Sequence, residues 1–216
     1  MAEAVNPPKR TRREQAAATR ERIIRAAVEV FSEAGFMGAR MGDIATRSGV
    51  AVQTVYFTFH TKAELLQACF DHAVLGPERL PPMEQPFFAD LVAARSGRAA
   101  LAAFVDGNTA ILTRAAVIKE VAESAPHEPD AAAVVANSER LRREGLSQIV
   151  ALIADRWSLR AGLTVEDATD LLLMLSSSGT YLTLRRYGWS DEKYAAWLAD
   201  TLAKQLLERP GRRRER

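Results

Sequence analysis

The sequence predicts an all-α protein built from two helical domains, and three observations support this fold class. Apolar residues recur at helical spacing through most of the 216 residues. No segment alternates apolar and polar residues as a half-buried strand does. A proline-rich stretch between Pro77 and Pro86 interrupts the pattern, and it separates short helices on its N-terminal side from long helices on its C-terminal side.

The first helix of the N-terminal domain is predicted from a periodic apolar segment. Residues 1–18 are polar and basic, so we expect them to form a flexible arm. Ile24, Ala27 and Phe31 then recur at helical spacing. Gly35 is placed to end this helix in a left-handed cap.

The next two predicted helices are too short to bury a core alone. Residues 41–48 form one helix, Gly49 allows a sharp turn, and residues 52–57 form the next helix. Thr61 and Glu64 have the spacing of a capping box that opens a fourth helix. Two short helices joined by a glycine turn predict a helix-turn-helix, whose second helix enters the major groove of DNA.

Long helices are predicted for the C-terminal domain. A short helix near residues 87–95 is followed by an apolar stripe over residues 98–124. Asp130 then caps a long helix that ends near Gly162.

Two more helices complete the predicted fold. Thr164 caps a helix over residues 165–186 that is apolar on nearly all sides, so we expect it to be buried all round. Ser190 caps the last helix, which runs to about residue 207. The predicted organisation is an arm (1–18), a helix-turn-helix domain (19–66), a second helical domain (67–208) and a basic tail (209–216).

The composition is that of an ordinary globular protein. Hydrophobic residues make up 48% of the chain and charged residues 26%, which argues against disorder. We see no apolar run that approaches the roughly 20 residues needed to cross a bilayer. The first residues lack the apolar core of a secretory signal, and the single cysteine, Cys69, excludes an internal disulfide. We therefore expect a cytoplasmic protein with no membrane partner.

Nothing in the sequence indicates an enzyme. The three histidines, His60, His72 and His127, include no pair at metal-ligand spacing. There is no glycine-rich phosphate loop and no nucleophile motif. We expect no catalytic residue, no metal site and no cofactor.

The N-terminal motifs resemble the tetracycline-repressor (TetR) family of bacterial transcription regulators. The resemblance covers the first third of the chain, and it rests on Gly35-Phe36, Asp43-Ile44-Ala45, Ser48-Gly49-Val50, Val55-Tyr56, Phe59, Thr61-Lys62 and Glu64-Leu65. It implies a homodimer that binds a near-palindromic double-stranded DNA operator. It also implies a repressor that is released by a small-molecule effector, of unknown identity, held in the C-terminal domain.

Three positions depart from the pattern of this family. Arg40 stands where a Ser or Thr commonly caps the second helix, and Ala51 replaces the usual Ser cap of the third. Gly42 lies inside the second helix, at a cost of roughly 1 kcal/mol relative to alanine.

The recognition helix contains the candidates for base contact. Positions that the core does not require are Val52, Gln53, Thr54, Phe57 and Thr58. Gln53 can pair with an adenine edge, and Thr54 can donate to a base or a phosphate. Val52 and Phe57 can make only apolar contacts, for example with a thymine methyl group. The alternative for Gln53 is a helix residue that faces solvent.

Phosphate contacts are expected around the same helix. By the resemblance, Tyr56 offers its hydroxyl to a phosphate while its ring packs beneath. Lys62 lies in the first turn of the fourth helix, where a cation opposes the helix dipole, and a bound phosphate would resolve that conflict. The same argument applies to Arg40. The remaining candidates near this surface are Arg47, His60 and Thr61, for which a solvated surface position is the alternative.

The C-terminal domain has enough apolar surface to enclose a ligand. Its candidate ligand residues are Phe87, Phe88, Phe104, Asn108, Ile111, Trp157, Met174 and Tyr181. Asn108 is the polar exception, because it falls on the apolar stripe of its helix. A buried amide needs a partner, which is either a ligand or a neighbouring carbonyl or water.

The last two helices are expected to pair with a second copy as a four-helix bundle. The candidate interface residues are Leu172, Leu175, Ser178, Leu182, Trp197, Leu198, Thr201 and Leu202. Two functions remain open. The chain is either a ligand-responsive dimeric regulator or a ligand-independent DNA-binding protein whose C-terminal domain only dimerises.

Overall fold

The computed structural model describes residues 11–208, and the described part contains ten α-helices, one 3₁₀ turn at Pro82–Glu84 and no strand beyond an isolated bridge. The predicted all-α fold class is confirmed. The helices are α1 (Arg12–Gly38), α2 (Met41–Ser48), α3 (Val52–Thr58), α4 (Lys62–Leu75), α5 (Pro86–Ala93), α6 (Gly97–Glu123), α7 (Pro129–Arg156), α8 (Val165–Leu175), α9 (Ser178–Arg186) and α10 (Asp191–Leu206).

Helix α1 begins earlier than the sequence analysis predicted. A capping box opens it at Thr11: the Thr11 hydroxyl accepts the N–H of Glu14 at 3.3 Å, and the Glu14 carboxylate accepts the N–H of Thr11 at 2.7 Å. The expected flexible arm is therefore wrong for residues 12–18, which are helical. The first part of that arm, with Lys9 and Arg10, and the basic tail at 209–216 lie outside the described residues.

Two other predicted boundaries shift along the chain. Gly35 has the expected positive φ of 67°, but a further turn of helix follows it to Gly38. Helix α7 begins after Glu128 and ends at Arg156, before Gly162. The backbone at Gly35 is non-helical, with ψ 177°, so the long first part of α1 ends where the sequence predicted and a separate turn follows it.

The first core joins the N-terminal helices to the rest of the chain. Buried residues of α1 to α4, among them Phe31 and Ile44, pack together with Val121 of α6 and Val134 of α7. Helix α4 also runs without interruption through the predicted boundary at residue 66. The predicted boundary thus falls inside α4, whose residues contribute to the first core.

Helix α6 occupies the centre of the fold. By length and composition alone it is apolar enough to cross a membrane, which the sequence analysis did not anticipate. Its buried residues from Leu101 to Ala116 lie mainly in the second core, and those of its C-terminal end, including Ile118, lie in the first. This position in two cores accounts for its hydropathy.

The predicted helix over residues 165–186 is in fact two helices. The chain leaves α8 at Ser176, and the hydroxyl of Ser177 caps α9 by accepting the N–H of Thr180 at 3.1 Å. Within the single chain burial is incomplete, because Met174 is 59% exposed and Leu175 is only partly buried. The break and the exposure together leave an apolar face on this helix pair within the monomer.

A side chain of α7 stabilises the break between α8 and α9. Nη2 of Arg142 donates to the carbonyl oxygens of Leu173 at 3.2 Å and Ser176 at 2.8 Å, and to the Ser176 hydroxyl at 2.9 Å. These carbonyls end α8 and have no partner inside that helix, so the guanidinium caps the C-terminal end of α8. Burial lowers the pKa of Arg142.

Candidate nucleic-acid interface

The turn between α2 and α3 sets the angle of the recognition helix. Gly49 has φ 66° and ψ 37°, a left-handed conformation that glycine adopts without strain. The N–H of Val50 donates to the Ala45 carbonyl at 3.1 Å, and the buried Ser48 hydroxyl donates to the Ile44 carbonyl at 2.7 Å. These bonds hold the turn closed.

Helix α3 presents one face to solvent. Gln53, Tyr56 and Phe57 have the i, i+3, i+4 spacing of a single helix face, and all three are exposed. Tyr56 is 51% exposed and Phe57 is 87% exposed. Val55 points the other way and is fully buried in the first core. The helix therefore offers an amide, a phenol and an apolar ring on the same surface.

Other candidates on α3 are less available than predicted. Val52 packs against the first core, so the expectation that the core does not require it is wrong. The Thr58 hydroxyl donates to the Thr54 carbonyl at 2.7 Å, and both residues are partly buried. A hydroxyl that bonds its own helix has less capacity for a base.

The structure gives Lys62 a partner that the sequence analysis did not expect. Its Nζ donates to the carbonyl oxygens of Phe36 at 2.6 Å and Ala39 at 3.3 Å, and it lies 4.4 Å from the centroid of the Phe36 ring. The conflict with the dipole of α4 is therefore resolved by the C-terminal end of α1, without a phosphate.

Arg47 is likewise engaged by the protein. Its guanidinium forms two parallel hydrogen bonds to the Glu33 carboxylate, at 2.7 and 2.8 Å, and Glu29 lies 3.7 Å away. The hydrogen bond from Arg47 lowers the pKa of Glu33, and the same contact raises the pKa of Arg47. Arg47 was expected to be free to bind a phosphate. It instead joins α2 to α1 through Glu33.

His60 and Thr61 organise the start of α4. The Thr61 hydroxyl accepts the N–H of Glu64 at 3.0 Å, which is one half of the predicted capping box. The Glu64 carboxylate instead accepts the N–H of His60 at 2.9 Å, and Nδ1 of His60 lies 3.2 Å from the same oxygen. Both hydrogen bonds lower the pKa of Glu64, and the bond from the His60 backbone has the larger effect.

Arg40 remains exposed at the N-terminal end of α2. No side chain caps that end or the start of α3 at Ala51, which agrees with the departures noted in the sequence. Arg20, one of the basic residues near the N-terminus, lies over the ring of Phe59 at 4.3 Å from its centroid. Sequence reasoning missed the acceptors Phe36 and Glu33, because no periodic pattern marks a contact between distant helices. It named Glu64 as part of a capping box but did not identify His60 as its partner.

The predicted ligand residues do not gather around one cavity. Phe104 and Tyr181 are buried in the second core, and Phe88 and Trp157 pack against it. The ring of Phe87 lies against Gly107, and Ile111 is partly buried. Nδ2 of Asn108 donates to the Ser176 carbonyl at 3.4 Å, so a neighbouring carbonyl is the partner found for that amide.

Two open concavities lie elsewhere. One of about 690 Å³ runs between α7 and α8, and Met174 is the predicted ligand residue that lines it, beside Arg142. The other, of about 310 Å³, lies among α1, α3 and α4. In the described part of the chain no group of three or more His, Cys, Asp or Glu residues is arranged to hold a metal. Cys69 is buried, and burial raises the pKa of its thiol to about 12.

Half of the predicted interface residues are buried inside the monomer. Leu172, Leu198 and Leu202 are fully buried in the second core, and Ser178 is also buried. Their assignment to an interface between copies is wrong, because the chain itself covers them. The four that stay partly exposed are Leu175, Leu182, Trp197 and Thr201.

Comparison with known proteins places the N-terminal helices in a described family. Residues 23–69 match the model of bacterial regulatory proteins, tetR family. The HTH-type transcriptional regulator SrpR of Pseudomonas putida is 41% identical over 92 residues, which are 43% of this chain and 40% of that protein. The uncharacterized HTH-type transcriptional regulator TtgW, also of Pseudomonas putida, is 41% identical over 92 residues, which are 43% of this chain and 64% of that protein. Each match spans less than two thirds of the relative's length.

The whole fold also has counterparts among solved structures. The fatty acid degradation regulator FadR from Bacillus halodurans superposes with a TM-score of 0.71 at 17% identity. The match covers 97% of this chain and 100% of that one. At this identity the likeness shows a shared fold, including the helical C-terminal half.

Proposed function

Because the chain belongs to the tetR family of bacterial regulatory proteins, we propose that it is a cytoplasmic, dimeric, sequence-specific DNA-binding transcriptional regulator that acts as a repressor. The observation that carries this proposal is the face of α3, where Gln53, Tyr56 and Phe57 are exposed beyond the Gly49 turn. A second helix placed in this way enters a DNA major groove.

Base reading is assigned to Gln53. Its exposed amide can donate to and accept from an adenine edge at the same time, which discriminates adenine from the other bases by about 1–3 kcal/mol. Tyr56 is half exposed, so its ring can pack while its hydroxyl reaches a phosphate. Arg40 is exposed at the N-terminal end of α2, where backbone N–H groups and its guanidinium can hold a phosphate together.

Selection from random duplexes by the full chain tests this function. We expect a preferred sequence with two related half-sites, and we expect binding to weaken as salt rises. Gln53→Ala should lose about 1–3 kcal/mol of discrimination at the adenine it reads, while preferences at the other positions of the duplex remain. If the full chain prefers no duplex over competitor DNA at physiological ionic strength, the proposal is wrong.

The homodimer is proposed to form through the exposed faces of α8, α9 and α10. Met174, Leu175 and Leu182 leave apolar surface uncovered in the monomer, and a partner copy would bury it. Met174→Asp should therefore give a folded monomer on a sizing column, with weakened operator binding. Gln148→Asp, an exposed change on α7, serves as the control and should remain dimeric. A dimeric Met174→Asp variant would contradict this interface.

Release by a small, largely apolar effector is the first of two candidate modes of regulation. The ring of Phe87 against Gly107 offers an apolar contact that a ligand can displace. The second candidate is ligand-independent binding, in which the C-terminal half only dimerises. One observation favours this second mode: the predicted ligand residues pack in or against the second core and share no cavity. Release of the selected duplex by members of a compound library distinguishes the two modes.

A further inference from the structure

The recognition face of α3 ends in an unusually exposed aromatic ring. At 87% exposure, Phe57 is the most exposed large apolar side chain in the described residues. It lies one helical turn after Gln53, on the same face. An apolar ring in this position gains stability only when a partner removes it from water.

The chemistry available on this face is neutral. Helix α3 contains no charged residue. Of the nearby cations, Lys62 donates to the end of α1, and Arg47 is held by Glu33. Base reading by α3 therefore depends on one amide and on aromatic surface, without the Arg or Lys contacts that read guanine.

We propose that Phe57 reads the C5-methyl groups of thymines in the major groove, beside an adenine read by Gln53. The thymine methyl is the apolar group that a base pair presents in that groove. Residues four apart on a helix are about 6 Å apart along its axis, which corresponds to base pairs one or two steps apart. The partner is thus a half-site with two A·T pairs one or two steps apart, and this inference rests on the proposed function.

Val52 is not an equivalent reader. It was the other apolar candidate on this helix, but it packs against the first core and is only partly exposed. The proposal therefore assigns methyl recognition to Phe57 alone.

Deoxyuridine substitution tests the inference. The full chain first selects a duplex from a random library, and each thymine of that duplex is then replaced in turn by deoxyuridine, which lacks only the C5-methyl group. At one or two positions in each half-site we expect affinity to fall about fourfold, the effect of removing one buried methyl. Phe57→Ala should lose this discrimination and bind the thymine and deoxyuridine duplexes alike.

Met37→Ala is the matched control. Met37 is 64% exposed and apolar but lies on α1, outside the recognition helix, so this variant should keep the wild-type ratio between the two duplexes. Both variants change exposed side chains, and circular dichroism should show that both are folded.

The outcomes separate this inference from the function beneath it. Selection of no duplex would defeat the proposed DNA-binding function. A selected duplex that tolerates deoxyuridine at every position would overturn methyl reading while the function stands. Equal weakening of the thymine and deoxyuridine duplexes by Phe57→Ala, with the discrimination retained, would also overturn it. That result would assign Phe57 to a wedge or another contact that does not recognise the methyl group.

Discussion

Nζ of Lys62 lies 2.6 Å from the carbonyl oxygen of Phe36 and joins the first turn of α4 to the last turn of α1. The last carbonyls of a helix have no partner within it and carry the negative end of its dipole. The Lys62 ammonium donates hydrogen bonds to these carbonyls, and it also lies over the Phe36 ring. The Lys62 side chain therefore fastens the start of α4 to the C-terminal end of α1.

Removal of this ammonium should destabilise the protein. Lys62→Met keeps most of the aliphatic stem, and we expect the free energy of unfolding to fall by about 1–3 kcal/mol, as for a hydrogen bond to a charged group. Urea denaturation measures the change. Lys204→Met is the control, because Lys204 forms an exposed pair with Asp200 and should contribute less than about 1 kcal/mol. Unchanged stability, with a salt slope of DNA binding reduced by about one, would instead assign Lys62 to a phosphate.

Arg142 and Arg143 are neighbours on α7 with opposite expected effects. Arg142→Met removes the guanidinium that caps α8 and leaves the Ser176 carbonyl short of donors, so we expect a loss of about 2–4 kcal/mol. Arg143 pairs with Asp170 at the surface, and Arg143→Met should cost less than about 1 kcal/mol. Denaturant midpoints of the two variants give the comparison. Equal midpoints would show that the cap of α8 contributes little.

The contact between Gly107 and Phe87 allows no side chain at residue 107. A Cβ there would lie 2.1 Å from Cγ of Phe87, so Gly107→Ala must displace the ring and should destabilise by about 1–3 kcal/mol. Gly145→Ala in α7 meets no atom within 4 Å and should stabilise by about 0.5–1 kcal/mol. Thermal unfolding measures both changes.

A double variant shows whether the ring is the cause. Gly107→Ala combined with Phe87→Ala should cost less than the sum of the two single changes, because the collision is then absent. Additive costs would locate the strain elsewhere on α6.

The pair of Glu33 and Arg47 predicts a contribution to stability that is present near neutral pH and lost in acid. The pKa of Glu33 is lowered from its ordinary value of 4.5, so folding favours the ionised carboxylate. Its contribution is present above pH 4.5 and is lost as the pH falls through the lower pKa of the folded state. We expect wild type to be more stable than Glu33→Gln near neutral pH, and we expect the difference to shrink on acidification. Urea midpoints between about pH 6 and pH 3 test this. A difference that grows in acid would contradict the assignment.

Local signals along the chain located most of the helices, although the break between α8 and α9 was not predicted. Thr164 and Ser190 were predicted as caps, and each accepts a backbone N–H one turn ahead. Gly49 was predicted to make the tight turn, and its left-handed conformation does so. Thr11 and Glu14 have the same capping-box spacing, and they open α1. Caps and turns depend on residues within a few positions, so the sequence displays them directly.

The partners of side chains were decided by packing between distant helices. Periodicity marked Leu172 and Leu198 as buried, but a buried leucine gains the same free energy inside its own core as in an interface. Helical spacing likewise placed Gln53 and Phe57 on one face, and the fold decided that this face is open. The long side chains of Lys62 and Arg142 can reach many acceptors, and the three-dimensional arrangement of α1, α4, α7 and α8 selected which carbonyls they serve. The chain thus specifies which segments are helical and which faces are apolar. Only the tertiary structure assigns each face to a core, a neighbouring helix or solvent, because these destinations differ in contacts that residues far apart in sequence make.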